Sequence, residues 1–273
     1  MSVICAEHLT RDYGEQKGVF DVSFSIGQGE AFGFLGPNGA GKTTVIRHLM
    51  GFLKPQSGIC EVGKLDCWAK RDQVQKQIGY VPGELSFFED ISGTDFMRFI
   101  AQYRGIGKES RQHELLKRLE LDPDTKIRKM SKGTKQKLAI TVAFMHDPQI
   151  LILDEPTSGL DPLMQNRFVE LVREEKQRGK TIFLSSHMFE EVERTCDRIG
   201  MIRCGELVAV DTVDALRKRY LRSYTVSLST EQEAEDFAKD FDGVQDGPCV
   251  TVSAKLSLED IFMNYYGGDT KDD

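Results

Sequence analysis

The sequence predicts an α/β protein built on a central parallel sheet, and three observations carry that expectation. The first is the run Gly36-Pro37-Asn38-Gly39-Ala40-Gly41-Lys42-Thr43-Thr44, which meets the phosphate-loop pattern G-x-x-x-x-G-K-[ST] at every fixed position. Its flanks have the strand–loop–helix layout that such a loop requires. Ala31-Phe32-Gly33-Phe34-Leu35 is an apolar run before it, and Val45, Ile46, Leu49, Phe52 and Leu53 follow at helical spacing. The second is a pair of short, nearly all-apolar runs, Ile150-Leu151-Ile152-Leu153 and Thr181-Ile182-Phe183-Leu184, the pattern of inner strands covered on both faces. The third is helical patterning over 85–146, with Phe96, Phe99, Ile100 and then Leu115, Leu116, Leu119, which suits a helical subdomain inserted between strands.

The remaining elements follow in order. Val3, Cys5, Val19, Val22, Phe24 and Ile26 alternate as short strands, broken at Tyr13-Gly14 and closed by Gly27-Gln28-Gly29. After the phosphate-loop helix, Lys54-Pro55-Gln56-Ser57-Gly58 supplies a stop and a turn before a strand at Ile59-Cys60-Glu61-Val62. Beyond Gly205 a smaller α+β pattern begins. It has a strand at 224–228, a helix at 232–241 with Ala234, Phe237, Ala238 and Phe241 on one face, and a strand at 249–252. A last helix starts at Ser257, with Asp260 reaching back in a capping box, before an acidic tail at 267–273. The expected division is a nucleotide-binding domain over 1–220, its helical subdomain at about 85–146, and a C-terminal extension over 221–273.

Composition narrows the function classes. With 40% hydrophobic and 29% charged residues, the 273-residue chain reads as a soluble globular protein. A formal charge of −7 offers no electrostatic footprint for nucleic acid, so no nucleic-acid partner is expected. No apolar stretch approaches the ~18 residues of a membrane helix, and the first residues lack the basic-then-apolar layout of a secretory signal, which points to the cytoplasm. The six cysteines form neither a C-x-x-C pair nor a metal spacing and read as free thiols.

The phosphate loop implies a nucleoside triphosphate. Its glycines let backbone N–H groups turn inward around the phosphates, the helix N-terminus adds partial positive charge, and Lys42 reaches the outer phosphates. The strand Ile150-Leu151-Ile152-Leu153 ends in Asp154-Glu155, where the first carboxylate suits Mg²⁺ and the second suits a water to be oriented or deprotonated. Asp161, in Ser158-Gly159-Leu160-Asp161-Pro162, and His187, after Leu184-Ser185-Ser186, come next in order. Alone, each is as compatible with a structural role as with a catalytic one.

In this series the diagnostic piece is Met130-Ser131-Lys132-Gly133-Thr134, followed by Lys135-Gln136-Lys137. With it, residues 3 to about 215 resemble the nucleotide-binding subunits of ABC transporters, whose signature loop is most often Leu-Ser-Gly-Gly-Gln. Ser131 and Gly133 keep that pattern; Lys132 and Thr134 depart from it. The residues themselves are consistent with the role, since Ser131 precedes Leu138, Val142 and Met145 at helical spacing and so offers a hydroxyl and a helix N-terminus to a phosphate. A plain N-cap is the structural alternative. Lys132 adds positive charge near nucleotide or is simply solvated.

The resemblance implies a P-loop NTPase with a RecA-like core, an antiparallel β flank, an inserted helical subdomain and a small α+β extension. It further implies that Tyr13 stacks on adenine, that Thr43 and Asp154 serve Mg²⁺, that Glu155 is the catalytic glutamate, and that His187 is the switch histidine at the γ-phosphate. Asp161 falls in the loop that crosses between two subunits. Two ATPase subunits then meet head to tail, each ATP held between one phosphate loop and the other chain's 131–134 signature. A homodimer suffices, and a related second subunit is the alternative. Integral membrane permease subunits on separate chains are the other expected partners. The C-terminal extension resembles those of stand-alone exporter ATPases. The rival reading, a soluble ABC-type ATPase acting in translation or DNA repair, lacks its usual second cassette, coiled-coil insertion or zinc module here. One departure stands out: at Tyr80-Val81-Pro82-Gly83-Glu84 the family usually carries Gln where this chain has Gly83.

Overall fold

The computed structural model describes residues 2–107, 111–219, 222–241, 243–254 and 263. They fall into two compact units, Met1–Val210 and Asp211–Asp273, a division earlier than the boundary after 220 suggested by the sequence.

The first unit begins with β1 (Ser2–Asp12), β2 (Gly18–Gly27), β3 (Ala31–Leu35), α1 (Lys42–Leu49), β4 (Ser57–Val62), β5 (Leu65–Asp66), α2 (Arg71–Gln77) and β6 (Ile78–Val81). Helices α3 (Gly93–Arg104), α4 (Gln112–Arg118) and α5 (Lys132–Phe144) follow, and they occupy the stretch expected to be a helical subdomain. The chain then returns through β7 (Ile150–Asp154), α6 (Pro162–Gln177), β8 (Thr181–Ser186), α7 (Phe189–Thr195), β9 (Arg198–Arg203) and β10 (Glu206–Thr212).

Two sheets result. Strands in the order β2-β1-β4-β5 pair antiparallel. The expected short strands of the entry segment are in fact two long ones, because β1 pairs with β2 on one edge and with β4 on the other. The second sheet has the order β10-β9-β3-β8-β7-β6, with β9, β3, β8, β7 and β6 parallel. Every residue of β3, β7 and β8 is buried, as their apolar runs require of strands with both faces covered.

Helix α1 packs its Val45, Ile46 and Leu49 into a core shared with Ile4 and Val22 of the antiparallel sheet and Ile152 of the parallel one. Burying each such side chain contributes roughly 1.5–3 kcal/mol. Phe24 of β2 joins the two sheets directly, its ring lying 5.5 Å from Phe32, 5.7 Å from Phe34 and 5.9 Å from Phe183. The helix stops earlier than its apolar spacing suggests. Gly51 N–H bonds to His48 O at 3.0 Å and Phe52 N–H to Arg47 O at 2.8 Å, the paired bonds that close a helix end, so Phe52 and Leu53 lie beyond it.

The helical stretch is seamed to the sheet by Arg104 of α3. Its guanidinium donates to Gln75 O at 3.4 Å, to Ile78 O at 3.2 Å and to His146 Nε2 at 3.0 Å. Burial, helped by the adjacent Arg104 charge, pushes the His146 imidazole down to about 4. An unfolded imidazole titrates near ~6.5, so between those values the unfolded chain takes up a proton that the folded chain refuses. The ring's contribution is therefore complete above pH ~6.5 and is lost as the pH falls toward 4. Acidification across that window should cost roughly 3 kcal/mol through this one residue. Urea melts at several pH values test it: His146→Gln should flatten the slope, and an unchanged slope would refute the assignment.

A second tie joins α4 to the core. Glu175, fully buried, accepts from Arg111 and from Lys180 Nζ at 2.7 Å. Burial pushes its carboxyl up, but the Lys180 and Arg111 hydrogen bonds outweigh that and hold it below the usual range.

The second unit holds α8 (Val213–Arg219), β11 (Arg222–Ser227), α9 (Glu231–Asp240), β12 (Val244–Asp246) and β13 (Cys249–Ala254). Its strands pair antiparallel in the order β11-β13-β12. Thr230 caps α9 by accepting from Glu233 N–H at 3.2 Å, and the Phe237 and Phe241 rings lie 4.5 Å apart, on the face expected from their spacing. The expected helix start at Ser257 and Asp260 and the tail at 267–273 lie outside the described residues.

Candidate nucleotide-binding and hydrolytic site

The parallel strands bring four loops to one edge of the sheet, the carboxyl edge where open α/β sheets bind ligands. Register aligns them: Leu35 sits opposite Ser186, Asp154 opposite Ser185, and Val81 opposite Leu153. The loops that follow β3, β6, β7 and β8 therefore converge.

Between β3 and α1 the chain forms the phosphate loop. A Cβ on Gly36 would stand 2.6 Å from Ile202 O, and Gly41 has φ 111°, so a side chain is excluded at the first position and strained at the second. Ala40 O accepts from Gly205 N–H at 3.0 Å, which pins the loop to the β9–β10 turn. Lys42 is 4% exposed, and its ammonium donates to Gly36 O at 2.7 Å and Pro37 O at 3.1 Å while standing 3.3 Å from Glu155 Oε1. A buried lysine held by carbonyls and a carboxylate can exchange those partners for phosphate oxygens. Gly41 also packs on Gly18 and Val19, at the start of β2. The Tyr13 ring is half exposed and lies 5.4 Å from the Arg11 guanidinium.

The carboxylates divide as their positions suggest. Asp154 is 1% exposed; its Oδ2 accepts from Thr43 Oγ1 at 3.1 Å and its Oδ1 from Ser185 Oγ. Burial raises its pKa, the neighbouring Glu155 charge adding to the rise while the Ser185 and Thr43 hydrogen bonds and the Lys42 charge oppose it. Glu155 has a left-handed backbone, φ 45°, held by its N–H bonding to Ser185 O at 3.0 Å. That turn sends the two side chains different ways. Glu155 Oε2 meets His187 Nδ1 at 3.3 Å, and the His187 side chain is 52% exposed, open to a substrate. Nothing in the sequence marks Ser185, which ends an apolar run; its burial at a strand end beside a carboxylate follows only from the register.

The donor set fits Mg²⁺-ATP. Thr43 and Asp154 offer hard oxygens 3.1 Å apart, and Mg²⁺ is commonly held by one or two carboxylates with phosphates and waters completing the shell.

The signature residues lie elsewhere. Ser131 caps α5, accepting from Thr134 N–H at 3.1 Å, and its hydroxyl pairs with Thr134 Oγ1 at 2.8 Å. Lys132 is exposed to solvent, and its Nζ donates to Ser158 Oγ at 3.0 Å. Gly133 abuts Gly159, where a Cβ would meet the carbonyl oxygen at 2.7 Å. Asp161 caps α6, accepting from Met164 N–H at 3.0 Å. Gln136, buried under the signature, donates to Pro156 O at 2.8 Å and so links α5 to the segment after Glu155.

Comparison with known proteins bears on this geometry. The family described as ABC transporter matches residues 19–158, from the start of β2 past Glu155. The bacitracin transport ATP-binding protein BcrA of Bacillus licheniformis is 36% identical over 236 residues, 85% of this chain and 77% of that protein. The chain belongs to the ABC transporter family. The linearmycin resistance ATP-binding protein LnrL of Bacillus subtilis (strain 168) is likewise 36% identical, over 85% of this chain and 76% of its own length. Among solved structures, an ATP binding subunit of an ABC transporter is 30% identical, covers 80% of this chain and 93% of its own, and superposes with a TM-score of 0.74. The fold is accordingly that of a P-loop NTPase, an ABC ATPase cassette.

Within the ABC family Gly83 remains the departure, and the structure gives it a local reason. A Cβ there would lie 3.1 Å from Asp154 Oδ2, closer than an ordinary contact. Gly83→Gln should therefore leave Mg²⁺-ATP affinity unchanged or weaken it by up to about tenfold, a cost of about 1.4 kcal/mol. Titration of the variant with Mg²⁺-ATP tests this; a large rise in affinity would show that the missing side chain had limited the site.

Proposed function

We propose that the chain is the Mg²⁺-dependent ATPase subunit of an ABC exporter whose membrane subunits are separate chains, and that it works as a dimer peripheral to the cytoplasmic face of the membrane. The observation that carries the reading is the convergence of Lys42, Thr43, Asp154, Glu155 and His187 at one sheet edge in a member of this family. In it, Lys42 and the loop amides hold the phosphates, with Tyr13 against the adenine. Thr43 and Asp154 would hold the metal, which would supply positive charge to offset that of the phosphates. Glu155 orients and deprotonates the attacking water, and His187 fixes the geometry at the γ-phosphate. Ser131–Thr134 and Asp161 act on the other subunit's nucleotide, a role that fits the exposed N-terminus of α5.

Export is supported by the relatives' names, one for bacitracin transport and one for linearmycin resistance. Membrane subunits have a suitable docking face. Phe88 and Phe99 are at least half exposed with rings 6.0 Å apart, beside Phe87 and Phe96, and Tyr103 on the same helix is 83% exposed. Apolar aromatic patches of this kind mark interaction sites. No helix among the described residues is long and apolar enough to cross a membrane. Detergent co-purification of the tagged chain from its own cells is the test. An integral membrane protein that stimulates its ATPase is the expected companion, whereas ribosomes or DNA in its place would overturn the assignment.

A further inference from the structure

Glu191 is buried without a counter-ion. It sits in the first turn of α7, is 4% exposed, and has no cationic partner among the described residues, although carboxylates are seldom buried unless paired. Its Oε2 accepts a 2.6 Å hydrogen bond from Ser186 Oγ, while Oε1 is sealed from solvent and makes no hydrogen bond of normal geometry. Burial pushes its pKa up to about 7, the Ser186 and Thr157 hydroxyls opposing and Glu155 adding to the rise. A leucine would fill the space with no desolvation cost, so what the carboxyl supplies is an acceptor.

That acceptor has a defined use. A serine hydroxyl has one proton, and giving it to Glu191 turns the lone pairs of Ser186 Oγ toward the Met188 N–H, which they meet at 2.9 Å. Ser186 and Met188 flank His187. One buried carboxyl thus sets the hydroxyl that clasps the switch residue from both sides. A cavity of about 140 Å³, lined by Glu191, Thr157, Met188, Pro162 and Gln165, borders the same carboxyl and reaches the start of α6, next to Asp161. Truncation at 191 would enlarge this void and give the clasp room to loosen.

We infer that Glu191 is a positioning residue for ATP hydrolysis, holding the His187 loop through Ser186 without touching nucleotide or water. The inference rests on the role given to His187 above. Steady-state ATPase assays of the full chain test it, with Glu191→Ala, Glu191→Gln, Ser186→Ala and His187→Ala. Glu191→Ala and Ser186→Ala should each lower kcat about 10- to 100-fold, as small misplacements of catalytic groups do, with KM for ATP within about 3-fold of wild type. Glu191→Gln, whose amide oxygen still accepts from Ser186, should recover most of the loss. The His187→Ala/Glu191→Ala double variant should be no slower than His187→Ala alone, because both act through one group. Wild-type kcat in Glu191→Ala, no recovery in Glu191→Gln, or full additivity in the double variant would overturn the inference while leaving the role of His187 intact. Wild-type turnover in His187→Ala would instead overturn that role, and the inference with it.

Discussion

Glu155→Gln is expected to bind ATP, to turn it over roughly 10²–10⁴-fold more slowly than wild type, and to accumulate as a nucleotide-bound dimer. The loss follows from what the carboxylate touches. One oxygen faces Lys42 at 3.3 Å and the other His187 at 3.3 Å, between the residues proposed to hold and to sense the phosphates. An amide keeps the size and an acceptor oxygen but surrenders the basicity. Binding persists because the loop amides, Thr43 and Asp154 do not depend on Glu155. Gel filtration with and without ATP, read beside phosphate release, checks both halves; wild-type turnover in the variant would remove Glu155 from the base role.

Ser131→Arg is expected to bind nucleotide at its own phosphate loop almost normally and yet to lose hydrolysis. Ser131 has two jobs that must be separated. It caps α5, and losing an N-cap costs about 1 kcal/mol. Its proposed second job is to face the other subunit's γ-phosphate. Ser131→Asp separates them, since aspartate is as good an N-cap as serine but sets a negative charge against phosphate. Stability near wild type with hydrolysis lost is the expected pair of results for Ser131→Asp. Hydrolysis retained in both variants would mean that Ser131 is only a cap.

Local chemistry made much of this legible in the sequence. The phosphate loop, the acidic strand end and the all-apolar inner strands each encode their environment in adjacent residues, and the structure buries those strands and brings Thr43 of the loop to Asp154 at the strand end. What escaped depends on contacts between distant segments. Ser185 and Gln136 look like ordinary polar residues until strand register and helix packing carry them to Asp154 and Pro156. Glu191 reads as one acid in an acidic helix start until its burial is seen. Apolar spacing runs on through Phe52 past the end of α1, because the bonds that stop the helix are backbone ones. Crowding of Gly83 against Asp154 likewise follows only from the pairing of β6 with β7.

The central claim is that each hydrolytic site takes its phosphate loop from one subunit and Ser131 from the other, and mixing two inactive variants tests it most directly. In a Lys42→Ala/Ser131→Arg heterodimer one site combines both defects, and the other joins an intact phosphate loop to an intact signature. ATPase activity should therefore appear on co-refolding or co-expressing the two variants, at no more than about half the wild-type rate per dimer because one of two sites is restored. Heterodimers that form but remain as inactive as either parent would contradict the composite site.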